Sequence, residues 1–120
     1  MYADDDRFLA EVREVALSFP EATEVEAWGR PTFRAGKIFA LFVEDGVIFK
    51  PEPDDREALV QDPRISIPPY WGPGGWLQLD LAAAPVDWTE VRELLEGSYR
   101  QVALKRMVKA LDAQAGSTSS

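Results

Sequence analysis

One stretch decides the fold of this chain: WGRPTFRAGKIFALFVEDGVIFK, residues 28–50. Gly36 interrupts it once, and Asp45-Gly46 interrupts it a second time. Glycine tolerates the positive φ that tight turns need, and Asp-Gly between β-branched and aromatic runs is a strong hairpin signal. The stretch therefore predicts three short antiparallel strands joined by two turns.

The middle strand, Ile38–Val43, is apolar throughout. Strict alternation places Phe39 and Leu41 on one face of the sheet and Ala40 and Phe42 on the other. Because both faces are apolar, we expect this strand at the centre of the sheet, covered on both sides. The outer segments should then dock against this ribbon.

Helices are predicted before and after the ribbon. Apolar residues at helical spacing indicate a first helix over residues 5–18, with acidic capping residues at 4–6. A short second helix is expected near residues 54–60. A third begins after Asp87, where Glu90 completes a capping box. Gly97-Ser98 predicts a break before the last helix, whose basic residues would then lie late in the helix.

The remaining segments are expected to be loops and short strands. Residues 21–26 are expected to be a loop, and Ile65–Ile67 a brief edge strand. Residues 68–75, PPYWGPGG, contain too many glycines and prolines for regular structure. Trp76–Leu81 alternates and predicts a strand whose leucines face the core. The fold class is thus α+β, a single domain with N-terminal and C-terminal helices packed on an antiparallel sheet.

Length and composition set limits on the class of protein. A chain of 120 residues is expected to form one domain, here over residues 1–113, followed by a disordered Ser-rich tail at 114–120. No apolar run approaches the roughly 20 residues that a membrane span needs, and the acidic N-terminus differs from a signal peptide. We therefore expect a cytoplasmic protein without membrane contact, and we assume a monomer.

Two residue types are absent. Without cysteine there is no disulfide or thiolate ligand, and without histidine there is no imidazole base or Ser-His-Asp triad. Most acyl-transfer and zinc mechanisms are excluded. We expect no catalytic residues, no cofactor and no metal.

Charge is unevenly distributed along the chain. The total is −8, all of it within residues 1–62, whereas residues 98–120 carry a net charge of +3. An acidic chain repels nucleic acid on average, although a local basic face still permits contact.

The run Trp28–Ala40, with its order of Trp-Gly, Pro, Phe and Gly-Lys, resembles the MmcQ/YjbR family. The later pairing of the Trp76–Leu81 strand with Leu94-Leu95 and residues 98–103 is also similar. This resemblance implies a frataxin-like (CyaY-like) α+β fold, DNA binding and no enzymatic activity. Many relatives carry Lys or Arg before the strand tryptophan, whereas this chain has Gly72–Gly75, which argues against phosphate contact by the loop.

Two groups of residues would carry DNA binding. Phosphate contacts would come from basic side chains, and stacking or wedging from aromatic ones. The candidates are Arg34, Lys37, Arg100, Lys105 and Arg106 for phosphates, and Tyr70, Trp71 and Trp76 for stacking.

Structural explanations remain open for the same residues. The aromatic residues of the loop can instead close a minor core or bind a small ligand or protein, and the strand cations can protect hairpin edges. The resemblance to a frataxin-like fold implies a third alternative, weak cation binding by an acidic ridge on the first helix and the segment after it, formed by residues 4–6, Glu11, Glu14 and the glutamates at 21–26.

Overall fold

The computed structural model describes residues 8–118, with side chains to residue 114. It has four α-helices and one six-stranded antiparallel sheet, which confirms the predicted α+β class. The helices are α1 (Leu9–Leu17), α2 (Pro53–Leu59), α3 (Trp88–Val102) and α4 (Lys105–Thr118). The strands are β1 (Thr23–Ala27), β2 (Arg30–Ala35), β3 (Lys37–Val43), β4 (Gly46–Phe49), β5 (Ile65–Ser66) and β6 (Leu77–Asp80).

The predicted ribbon is the centre of the sheet. The strand order is β1-β2-β3-β4-β6-β5, so that β3 and β4 are internal and β1 and β5 are the edges. Phe39, Ala40, Leu41 and Phe42 are all buried. The expectation of a central strand covered on both sides is confirmed.

The prediction that side chains alternate strictly along β3 was wrong, because the strand contains a bulge. Phe33 pairs with Ala40 and Arg34 pairs with Ile38, so Phe39 is the extra residue. Such a bulge turns two successive side chains toward one face. Phe39 therefore joins Ala40 in the core beneath the helices, while Leu41 faces the opposite side.

The helical layer packs on one face of the sheet, here called the helical face. Tyr99 of α3 lies at its centre, with its ring centroid 5.1 Å from Phe19 and 5.5 Å from Phe39. Its hydroxyl donates to the carbonyl of Pro20 at 2.8 Å. Apolar burial and one satisfied hydroxyl thus fix α3 against both α1 and the sheet.

The prediction of a helix break at Gly97-Ser98 was wrong. Helix α3 continues to Val102, and the chain breaks at Ala103-Leu104 instead. Ser98 is fully buried; its hydroxyl donates to the Phe39 carbonyl and accepts from the Lys50 amide at 2.9 Å. A serine inside this helix is retained because its side chain satisfies two groups of the sheet.

The structure settles several other boundaries. Residues 23–27 form edge strand β1 rather than a loop, and α1 begins at Leu9. Asp87 accepts from the amides of Thr89 and Glu90, as a helix cap should. The predicted acidic cap at 4–6 lies outside the described residues. Helix α4 is described as far as Thr118, past the boundary expected at residue 113.

Candidate ligand-binding groove

The face of the sheet opposite the helices, here called the open face, carries a groove of about 960 Å³. Leu41, Ile48 and Gln78 are successive cross-strand neighbours and form its floor. Leu41 is 1% exposed and Ile48 3%, although neither belongs to the core under the helices. The groove is lined by Trp28, Arg30, Leu41, Phe42, Val43, Glu44, Ile48, Pro68, Pro69, Tyr70, Trp71 and Gln78, which together are called the tryptophan groove.

The β1–β2 hairpin forms one wall of the groove. Ala27 pairs with Arg30, leaving Trp28-Gly29 as a two-residue turn with φ of 54° and 73°. Positive φ at both positions defines a type I′ turn, which favours Asn, Asp or Gly. Trp28 occupies the strained first position, and its side chain is 69% exposed.

The loop between β5 and β6 forms the other wall. The amide of Gly72 donates to Pro68 O at 2.9 Å, and the amides of Gly74 and Trp76 donate to Trp71 O at 3.1 and 3.3 Å. A Cβ on Gly72 would lie 2.5 Å from a methyl group of Ile67, so only glycine fits this turn. These bonds and this close approach fix the shape of the loop.

Tyr70 lies at the tip of the loop. Its φ is 67°, in the left-handed region that bulky residues rarely adopt, and its side chain is 96% exposed. The loop therefore projects an aromatic ring into solvent beside the groove.

Three tryptophans meet on the open face. The ring centroids of Trp28 and Trp71 are 5.9 Å apart, and those of Trp71 and Trp76 are 5.1 Å apart, both edge-to-face. The structure thus brings the predicted Trp71 and Trp76 together. It adds Trp28, which sequence reasoning missed as a site residue although Trp-Gly between two strands signals a hairpin turn.

Arg30 is the arginine of the groove. It is half-buried, and its side chain forms no hydrogen bond or ion pair with the residues that the structure describes. The lining also contains the carboxylate of Glu44 and the side-chain amide of Gln78. The groove therefore combines aromatic walls and a largely apolar floor with one guanidinium that has no side-chain partner among the described residues.

The predicted phosphate contacts lie elsewhere. Arg34 donates to the Thr32 hydroxyl at 3.2 Å, and Lys37 follows the β2–β3 turn. Arg34 lies roughly 20 Å along the strand from Trp28, since an extended chain rises about 3.3 Å per residue. Leu104 contacts Gly36 in the same turn, which places Lys105 at the Arg34 end of β2 as well.

The two predicted arginines of the helical layer are engaged in ion pairs. Arg100 contacts Asp112 at 2.9 Å, and that hydrogen bond raises the pKa of Arg100. Arg106 contacts Glu21 at 3.0 Å, and this hydrogen bond lowers the pKa of Glu21. Lys105 and Arg106 were predicted to lie late in the last helix, but they are the first two residues of α4. The structure does not bring the predicted basic residues together with the tryptophans.

The described residues contain neither a metal-binding cluster nor a membrane-spanning helix. Among them, no group of three or more acidic side chains is placed to hold a metal ion. Glu24, a member of the expected acidic ridge, pairs with Arg13 at 2.6 Å. No helix of the described residues is long and apolar enough to cross a membrane.

Comparison with known proteins identifies the family. The YjbR family model matches residues 17–101. The crystal structure of Deinococcus radiodurans protein DR2400, with family-model domain DUF419, is similar over 87% of both chains, with a TM-score of 0.71 and 22% identity. At this identity the likeness shows the fold alone. A comparison with curated proteins gave no significant match. The matched region contains all six strands, α2, nearly all of α3 and the whole tryptophan groove, and this chain belongs to the YjbR family.

Proposed function

We propose that this protein is a non-enzymatic binding module, acting as a cytoplasmic monomer, and that the tryptophan groove takes its ligand. One observation carries the proposal. Four non-glycine residues of the described chain have positive φ, and two of them are Trp28 and Tyr70, the exposed rings on opposite walls of the groove. Such strain costs about 1–3 kcal/mol per residue and is typical of ligand clamps.

The dimensions and lining of the groove favour a small ligand. Its volume of about 960 Å³ is at the upper end of the range for small-molecule sites. Leu41 and Ile48 close the bottom of the groove and are themselves almost fully buried, so a ligand would be held mainly by the aromatic side chains of the walls. The hydrogen-bonded loop behind Trp71 holds its wall in place before binding, which reduces the entropy lost on association.

DNA binding, which the family resemblance implies, is the second candidate. The observation that favours it is the exposure of Trp28 and Tyr70, since a free aromatic face can stack an unpaired base at about 1–3 kcal/mol. The ion pairs of Arg100 and Arg106 weigh against a duplex interface in the helical layer. On this candidate, DNA would enter as a single strand through its bases.

A fluorescence titration tests the proposal. Planar aromatic compounds should quench or shift the tryptophan emission of the wild-type protein, and Trp28→Ala should weaken each response. Lys37→Ala, an exposed change at the start of β3 and at the end of the sheet away from Trp28, is the matched control and should leave the responses unchanged. A library in which no compound alters the emission, or in which Trp28→Ala binds like wild type, would refute the groove as the site.

Labelled oligonucleotides decide between the two candidates. Anisotropy should show no association with duplex DNA at low salt, where phosphate contacts are strongest. Association with a single strand that is lost in Tyr70→Ala and retained in Lys105→Ala would promote the second candidate. Duplex association lost in Lys105→Ala would contradict the proposed site.

A further inference from the structure

We infer that the ligand of the tryptophan groove is a small planar aromatic molecule carrying one anionic group, which pairs with Arg30. This inference rests on the proposed function, because it specifies what the same groove selects. It is carried by the state of Arg30, the geometry of the surrounding rings and the charge at the rim.

The unpaired state of Arg30 is the first step. In this strongly acidic chain, four arginines of the described residues have carboxylate partners, namely Arg13, Arg64, Arg100 and Arg106, and two others donate to hydroxyl groups, namely Arg34 and Arg92. Arg56, outside the groove, has a buried Nε without a partner. Arg30 is half-buried against the groove and has no partner among the described residues. A planar guanidinium presents a fork of donors that matches a carboxylate, sulfonate or phosphate oxygen pair.

Arg30 also lies beside the aromatic rings of the groove. It is the first residue of β2, directly after the Trp28-Gly29 turn, so the hairpin that exposes the Trp28 ring also places the cation. Trp71 lies edge-on to Trp28 at 5.9 Å. A ring held between these aromatic walls would have its anionic group within reach of the guanidinium.

The rim limits the ligand to a small molecule rather than a polymer. Glu44 lines the same groove, and Asp45 follows it at the exposed β3–β4 turn. One anion can pair with Arg30, whereas further phosphates of a strand would meet these carboxylates.

Two fluorescent probes with nearly the same rings test the inference. Anilinonaphthalene sulfonate carries one anionic group, and phenylnaphthylamine lacks it. We expect the sulfonate to bind the wild-type protein about tenfold more tightly, as one charge-assisted pair provides. Arg30→Gln should abolish this preference without changing phenylnaphthylamine affinity. Lys37→Gln removes an exposed charge outside the groove and should preserve it.

A thymidine decamer distinguishes a free anion from an anion on a nucleic-acid strand. It should fail to displace the sulfonate at moderate salt. Far-UV circular dichroism on each variant excludes probe binding to unfolded protein.

The outcomes separate the inference from the proposed function. Equal affinity for both probes, or a preference that survives Arg30→Gln, overturns the anionic ligand, while weaker binding of both probes in Trp28→Ala leaves the groove as the site. Displacement by the decamer overturns the small ligand in favour of a strand. Failure of both probes to bind folded wild type overturns both proposals.

Discussion

Tyr70 holds its ring in solvent at a cost in backbone strain, and asparagine at this position should make the protein more stable. The φ of Tyr70 is 67°, and its side chain is 96% exposed. Left-handed backbone costs an ordinary L-residue about 1–2 kcal/mol, whereas asparagine visits this region readily. The ring buries almost no surface, so little hydrophobic stabilisation is lost. We expect Tyr70→Asn to raise the free energy of unfolding by about 0.5–1 kcal/mol.

Urea unfolding followed by far-UV circular dichroism measures this change. With a slope of about 1.5 kcal/mol per molar urea, the midpoint should rise by about 0.5 M and the slope should stay constant. Asp45→Asn is the matched control, because Asp45 also has a positive φ of 52° and is exposed but already suits this conformation. It should change stability by less than about 0.3 kcal/mol.

The same variant should bind its ligand less tightly. Loss of one stacking ring at the rim predicts about a fivefold weaker affinity for anilinonaphthalene sulfonate, or about 1 kcal/mol. Tyr70→Phe keeps both the ring and the strain and should match wild type in stability and affinity. If Tyr70→Asn lowers stability by more than about 0.5 kcal/mol, Tyr70 contributes to the fold and the reasoning from strain fails.

Two further predictions concern the scaffold. Ser98→Ala should lower the free energy of unfolding by about 2–3 kcal/mol, because it leaves the Phe39 carbonyl and the Lys50 amide without their buried partner. Thermal or urea unfolding measures this change, with the exposed Ser66→Ala as the control. Equal effects of the two substitutions would refute the role of the Ser98 hydroxyl. Hydrogen bonds from Arg64 lower the pKa of Asp62 from 3.8 to about 2, so this carboxylate stabilises the fold above its ordinary pKa and loses the effect as pH falls toward about 2. With its partial exposure taken into account, Asp62→Asn should cost about 1 kcal/mol near pH 5 and nothing near pH 2, and a pH-independent difference would contradict the assignment.

The central hairpins were predictable because their signals are local. Gly36 and Asp45-Gly46 separate apolar runs, and short-range turn chemistry fixes the strands on either side. Asp87 was likewise recognised as a cap from the residues that follow it. In each case the interactions that decide the structure lie within a few positions of the chain.

The errors arose where distant contacts overrule local pattern. The bulge at Phe39 adds one residue to β3 and reverses the faces beyond it, which depends on the register with β2. Ser98 favours a helix break by propensity, but its hydrogen-bond partners in β3 and just after β4 lie 59 and 48 residues away in sequence. In strand β1, Thr23, Val25 and Ala27 alternate with two glutamates. Because glutamate is uncommon in strands, the segment was predicted to be a loop.

Two residues of the groove, Tyr70 and Trp71, could be found from the sequence, together with Trp76, which contacts Trp71. Tyr70, Trp71 and Trp76 stand together in a loop rich in glycine and proline, so their clustering was visible. Trp28 is 43 positions before Trp71, and only the folded sheet brings their rings together. Pairing of the charged residues was equally hidden, because Arg100 and Arg106 meet their carboxylates through tertiary packing.

The most direct test of the tryptophan groove is fluorine NMR of protein labelled with fluorotryptophan. The chain has four tryptophans, and Trp88 begins α3 and packs against the core of the helical face, so it is an internal control. Titration with anilinonaphthalene sulfonate should shift the resonances of Trp28 and Trp71 in a saturable manner and leave Trp88 in place. Movement of Trp88 while Trp28 and Trp71 stay fixed, or no movement of any tryptophan, would contradict the assignment of the ligand site to the open face of the sheet.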